Sequence, residues 1–267
     1  MKQRILLLLT LAFALSASAF TTDTIKVDTR YLDTPEDVTV IVPDGAFGHD
    51  FPVVYLLNGY DGNHIQWTRT QPRLGELADR YGMVFVLPDG RDSWYWDSPL
   101  RPEMQMESFI IKDLVPYIDA KYPTLKSRDK RAISGFSMGG HGALWLATRH
   151  PDIFGSVGSM SGGVNIMPFP KNWKMASWLG PQEQNKEVWE AHTVASLVPQ
   201  MKEAGLNIIF DCGTDDFFAG VNNDLHNALA EAGVPHDYTS RPGAHTHAYW
   251  GNSLLYHLLF FNEIFKK

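Results

Sequence analysis

Short, nearly unbroken apolar runs recur along this chain, and amphipathic helical segments separate them. A strand that is apolar at almost every position must be covered on both faces, which is the condition of a mostly parallel sheet wrapped by helices. The runs lie at residues 52–57, 83–87, 131–135, 156–160 and 207–210, with a final strand expected at 236–240. Helical spacing appears at 72–80, 106–121, 138–149, 223–232 and 252–265. Upstream, residues 24–31 and 38–42 are β-rich and flank the turn-forming Asp33-Thr34-Pro35-Glu36-Asp37, so they are expected to pair as an antiparallel edge. Residues 162–200 are less regular and carry Trp173, Trp178 and Trp189. No repeat, low-complexity tract or linker divides the chain.

Residues 1–19 read as a secretory signal peptide. Lys2 and Arg4 open it, an apolar stretch follows over 5–15, and Ala17-Ser18-Ala19 supplies the small-x-small cleavage site. The stretch is shorter than the ~20 residues of a membrane span, and no cysteine follows it for a lipid anchor. Cleavage after Ala19 would leave 267 − 19 = 248 residues, 20–267, expected to form one catalytic domain without a membrane anchor. Losing Lys2 and Arg4 would take the formal charge from −7 to −9. Such an acidic chain is a poor partner for nucleic acid, which needs a basic surface. The single cysteine excludes an internal disulfide framework and a Cys-based zinc site.

The strongest chemical signal is Gly135-Phe136-Ser137-Met138-Gly139-Gly140, where an expected strand runs directly into an expected helix through G-x-S-x-G. A sharp turn there holds the serine in strained geometry, and the next helix aims its first amides at it. A serine hydroxyl needs a base, and the base needs an orienting carboxylate. In this context they follow in the order Ser, Asp, His. One expected strand ends in Gly213-Thr214-Asp215-Asp216, offering two adjacent acids, with the Gly-x-x-Asp spacing favouring Asp216. The loop after the last strand carries His245 and His247, both candidates for the base. A His-x-His pair can also bind zinc, but no third ligand stands at local spacing. No metal or cofactor is therefore expected. His64, His141 and His226 are expected to be surface or core residues.

These residues carry a resemblance over nearly the whole chain after residue 19. The segments are Val53-Val54-Tyr55-Leu56-Leu57-Asn58-Gly59-Tyr60-Asp61-Gly62-Asn63, Val84-Phe85-Val86-Leu87-Pro88-Asp89-Gly90, Ser93-Trp94-Tyr95, the serine motif, Gly213-Thr214-Asp215-Asp216-Phe217, and Pro242-Gly243-Ala244-His245 with Trp250 five residues on. Together they resemble the esterase D and carbohydrate esterase family 1 group of α/β-hydrolases, which includes tributyrin, acetylxylan and feruloyl esterases and S-formylglutathione hydrolases. The resemblance implies an α/β-hydrolase fold and a serine esterase with Ser137, Asp216 and His245 as its triad. Spacing of the formylglutathione type would favour His247 instead. It also implies an oxyanion hole from the backbone N–H groups of Tyr60 and Met138. One departure stands out: the family's usual His-Gly reads Asn58-Gly59 here, which bears on how the loop is shaped.

The expected substrate is an ester, either acetyl or feruloyl groups on plant polysaccharide or short-chain esters generally. Trp94, Tyr95, Trp173 and Trp178 are candidates to flank the pocket and stack on sugar or aromatic acyl groups, with plain packing weighed at least equally. The same triad would serve an acyltransferase passing the acyl group to a sugar or glycerol. A non-catalytic secreted binding protein is the other alternative, and turnover of a simple ester would exclude it.

Overall fold

In a computed structural model, described here for residues 20–45 and 48–267, the chain builds one eight-stranded sheet. The proposed signal peptide lies outside the described residues. The strands are β1 (Thr21–Val27), β2 (Glu36–Val42), β3 (Val53–Leu57), β4 (Val84–Pro88), β5 (Arg131–Phe136), β6 (Ser156–Met160), β7 (Asn207–Gly213) and β8 (Asp237–Arg241). Their order across the sheet is β1-β2-β4-β3-β5-β6-β7-β8. The pair β1–β2 is antiparallel, as the turn at 33–37 requires, β2–β4 is antiparallel too, and every later pair is parallel.

The helices are α1 (Gln66–Thr70), α2 (Leu74–Tyr81), α3 (Met106–Phe109), α4 (Val115–Lys121), α5 (Met138–Arg149), α6 (Met175–Leu179), α7 (Lys186–Ala191), α8 (Val198–Ala204), α9 (Ala219–Ala232) and α10 (His247–Phe265). Because side chains alternate along a strand, β3 sends Val54 and Leu56 to one face and Val53, Tyr55 and Leu57 to the other. Leu74, Leu77 and Ala78 of α2 and Leu254, Leu258 and Phe261 of α10 cover the first face. The longer stretch from α3 to α4, together with α5, α8 and α9, covers the second. Both faces are buried, which explains the apolar runs.

Three local differences from the sequence reading have physical causes. The segment expected as one helix over 106–121 contains a π-helical turn at Ile110–Leu114, where the N–H of Val115 reaches back to the carbonyl of Ile110. Pro116 follows: it has no N–H to give and would crowd the carbonyl four residues back, and the wider turn carries the chain past it. Helix α10 starts at His247, not near 252, because the Thr246 hydroxyl caps it by accepting from the N–H of Tyr249 at 3.3 Å. Helix α1, only five residues long, is too short to show a period.

Candidate active site

The turn from β5 into α5 is as tight as the glycine spacing requires. A Cβ on Gly135 would sit 2.4 Å from the carbonyl oxygen of Gly139, and one on Gly139 would sit 2.4 Å from that of Leu57. Between these glycines Ser137 takes φ 58 and ψ −120, a conformation that costs a non-glycine residue about 1–3 kcal/mol. The strain is held by backbone bonds: the N–H of Ser137 donates to Met160, and its carbonyl accepts from His141. The hydroxyl is thereby presented at the carboxyl end of the parallel strands, the edge at which open α/β sheets carry their sites.

Two other strand ends supply the partners. Past β7, Asp216 turns its buried carboxylate inward, where it accepts from the N–H of Phe218 at 2.8 Å. His245, on the loop after β8, places Nδ1 at 2.9 and 3.0 Å from the two oxygens of that carboxylate. Its Nε2 lies 2.9 Å from the Ser137 hydroxyl. An ionised carboxylate only accepts, so Nδ1 carries the proton and Nε2 accepts from the serine. The candidates left open by sequence fall elsewhere: Asp215 is exposed, its N–H bonded to the Gly243 carbonyl. His247 sets its Nδ1 2.8 Å from the Thr70 hydroxyl instead. The two histidines thus serve different partners.

Aromatic rings fix the His245 side chain. Phe217 lies against the imidazole of His245 at 4.3 Å between centroids, and Trp250 meets it edge-on at 4.8 Å. Trp250 in turn stacks on Phe136 at 4.2 Å with ring planes 5° apart. Gly59, Tyr60, Gln66, Phe136, Ser137, Trp173, Phe217, His245, His247 and Trp250 enclose a pocket of about 180 Å³. A larger hollow of about 560 Å³ lies beside Thr148 and Pro199, but its lining holds neither serine nor histidine.

Asn58 shows how the chain manages without the usual histidine. Its Oδ1 accepts from the N–H of Gly90 at 2.8 Å and from the Tyr95 hydroxyl at 2.9 Å, while its Nδ2 donates to the Gly59 carbonyl at 3.0 Å. The Gln66 side chain accepts from the Gly59 N–H at 2.9 Å. With the Gly59 carbonyl pinned, the trans peptide turns the Tyr60 N–H to the opposite side. Met138 is wholly buried at the start of α5, its sulfur accepting from the N–H of Trp94 at 3.4 Å.

The aromatic residues named as substrate contacts divide sharply. Trp94 and Tyr95 are 1% and 0% exposed and offer no surface to a ligand. Trp94 stacks on Trp96 at 5.5 Å, and the Tyr95 hydroxyl is spent on Asn58, so both are packing residues. Trp178 is half-buried, donates to the Asp92 carbonyl and lies under Arg101, outside the pocket lining. Trp173 alone of the four borders the pocket. Gln66, Phe217 and His247 were not anticipated as lining residues. Phe217 had a signal in its place beside Asp216; Gln66 had none, since α1 itself was not foreseen. His141 proves a core residue: burial holds its pKa down to about 3, partly offset by the Gly163 carbonyl and reinforced by His192. Burial likewise pushes the thiol of Cys212 up, which leaves it an inert packing group.

The profile of the Esterase family matches residues 29–261. The chain belongs to the Esterase family. An acetyl esterase of Caldicellulosiruptor saccharolyticus is 30% identical over 225 residues, covering 78% of this chain and 84% of that protein. The mouse S-formylglutathione hydrolase is 28% identical over 206 residues, covering 67% and 69%. The solved structure of a ferulic acid esterase superposes with a TM-score of 0.79 at 27% identity, over 92% of this chain and 98% of that one. This Esterase-family protein is thus a serine carboxylic-ester hydrolase with the α/β-hydrolase fold.

Proposed function

We propose that this protein is an exported hydrolase of short-acyl esters, acetyl esters of carbohydrate foremost, working through Ser137, His245 and Asp216. The observation that carries the reading is the hydrogen-bonded chain from Ser137 Oγ through His245 to Asp216, opening on a small pocket. As Ser137 Oγ bonds to the ester carbonyl carbon, its proton passes to His245 Nε2 and the carbonyl electrons move onto oxygen. The N–H groups of Tyr60 and Met138 receive that oxyanion, and Asp216 stabilises the imidazolium. Collapse expels the alcohol oxygen, which takes the proton from His245. Water then repeats the sequence on the acyl-enzyme, releasing the acid and restoring the serine.

The pocket of about 180 Å³ suits an acetyl group better than a long chain, and the relative from Caldicellulosiruptor is an acetyl esterase. Export rests on residues 1–19 and argues against a cytosolic thioester such as S-formylglutathione. Among the described residues no helix is long and apolar enough to cross a membrane. A second reading, feruloyl esters, is favoured by Phe217, 54% exposed and stacked on Trp173 at 5.9 Å, which offers a flat aromatic wall.

The test is a comparison of p-nitrophenyl acetate, butyrate and octanoate with methyl ferulate and acetylated xylan. The expected result is a steep fall in kcat/KM beyond the shortest chains and release of acetate from xylan. A higher kcat/KM on methyl ferulate than on any acetate would replace acetyl by feruloyl. Passage of the acyl group to added glycerol in preference to water would make the protein a transferase.

A further inference from the structure

His247 lines the same pocket as His245 but has no part in the proton chain. Its orientation is fixed by a hydroxyl with only one proton to give. Thr70 Oγ1 donates to the carbonyl of Gln66 at 2.9 Å, one turn back in α1. Toward the Nδ1 of His247, 2.8 Å away, it must therefore act as acceptor, and Nδ1 carries the ring proton. Nε2 is left as a lone pair with no hydrogen-bond partner among the described residues. The ring is held edge-on between Phe136, at 5.7 Å between centroids, and Trp250, at 5.0 Å.

Three effects disfavour a charge on this imidazole. Burial and repulsion from His245 both lower its pKa. It is also the first residue of a 19-residue helix, whose N-terminal end disfavours a cation. The pocket thus contains a rigid hydrogen-bond acceptor that the proton chain does not consume.

Its position says which half of the substrate it reads. His245 returns its proton to the leaving oxygen, so the alcohol half lies at the His245 side of the pocket. His245 and His247 both meet the Trp250 ring edge-on. The space they border is small, about 180 Å³. A hydroxyl on the carbon next to the one that bears the leaving oxygen would enter the space that His245 and His247 share. We infer that His247 is a specificity residue, accepting a hydrogen bond from a hydroxyl vicinal to the ester, and that the preferred substrates are monoesters of vicinal diols, the chemistry of a partly acylated sugar. This rests on the esterase reading above.

The probes are 2-hydroxyethyl acetate and 2-methoxyethyl acetate, which share an ester and differ in one donor. With rates normalised to alkaline hydrolysis, wild type is expected to favour the hydroxyl compound in kcat/KM by about three- to tenfold, the scale of one net hydrogen bond at a site open to solvent. His247→Phe should bring the ratio near one, and His247→Gln should retain part of it through its amide oxygen. Thr70→Val, which keeps the imidazole and removes its tether, should give an intermediate ratio and provides the second variant if His247→Phe does not fold. A bond that merely ties α10 to α1 would leave the ratio untouched. A ratio near one in wild type, or an unchanged ratio in His247→Phe, overturns the inference while the esterase stands. Hydrolysis of neither acetate, or equal hydrolysis by Ser137→Ala, overturns the esterase reading itself.

Discussion

Ser137, His245 and Asp216 have a counterpart deeper in the molecule, made of Ser134, His257 and Asp211. Ser134 stands three residues before Ser137 on β5, and Asp211 five before Asp216 on β7. His257 sits between them from α10, with Nδ1 3.1 Å from the Ser134 hydroxyl and Nε2 2.9 Å from the Asp211 carboxylate. It is the same sequence of groups with the imidazole reversed. A Cβ on Gly158 of β6 would fall 2.3 Å from His257 Nδ1, so the ring rests on the sheet where only glycine leaves room.

What separates the two chains is backbone and access, not functional groups. Ser134 lies inside a strand and is 0% exposed, as is His257. No carbonyl carbon can reach that hydroxyl. Asp211 is moreover braced by Ser253 and by Arg241 at 3.6 Å, so its charge is spoken for. Ser137, by contrast, is lifted out of the strand by a strained turn and faces an open pocket. The inner chain bolts α10 to the sheet; the outer one is free to react. A triad of residue types therefore means little until the serine's φ and its access to solvent are known.

Removing the two serines breaks the comparison most directly. Ser137→Ala is expected to lower kcat/KM on p-nitrophenyl acetate by roughly 10⁴-fold or more, with the thermal midpoint close to wild type. Ser134→Ala should do the reverse. It leaves His257 Nδ1 buried without a donor, costing about 1–3 kcal/mol of stability, while the folded protein keeps its rate within a few-fold. Equal losses of activity from the two variants would mean that the chains are not independent.

Next in size is Asp211→Asn. Taking away the charge of a buried network costs roughly 3–5 kcal/mol, here because Asn keeps one acceptor oxygen only, so either His257 or Ser253 faces an amide N–H and Arg241 loses its counter-charge. A urea titration followed by tryptophan fluorescence measures it. A loss below 1 kcal/mol would show that the inner chain is not a brace.

The sequence made one of these chains visible and hid the other. G-x-S-x-G between strand and helix announces Ser137 because the turn is local and its glycines are obligatory. Asp216 and His245 follow from chain order, and their loops lie where parallel strands end. Ser134 and His257 carry no such mark. One is an ordinary position in an apolar run, the other an ordinary position in a helix, and they meet only because β5, β7 and α10 pack together. The same limit explains Trp94 and Tyr95. Their motif marked them as special, but whether an aromatic ring faces a ligand or the core depends on what packs over it. Conversely, Gln66 and Thr70, which set the Gly59 loop and His247, sit on a five-residue helix with no period to read.

Acidity gives the finest test of the inner chain. Burial by itself would raise the pKa of Asp211, but the hydrogen bonds from His257 and Ser253 and the charge of Arg241 outweigh it and hold the carboxyl below its ordinary value. A carboxylate depressed in the folded state binds protons more readily once unfolded. Its stabilisation is therefore complete above the ordinary carboxylate value of ~3.9 and is lost as pH falls through the lower, folded value. Other carboxylates, Glu107 among them, titrate in the same direction, so the wild-type curve alone does not isolate Asp211. The difference between wild type and Asp211→Asn does. Urea midpoints measured at pH 7, 5, 4 and 3 should run parallel down to about pH 4 and then converge, because only wild type has this contribution left to lose. A gap that stays constant to pH 3 would mean that the Asp211 brace acts through shape alone.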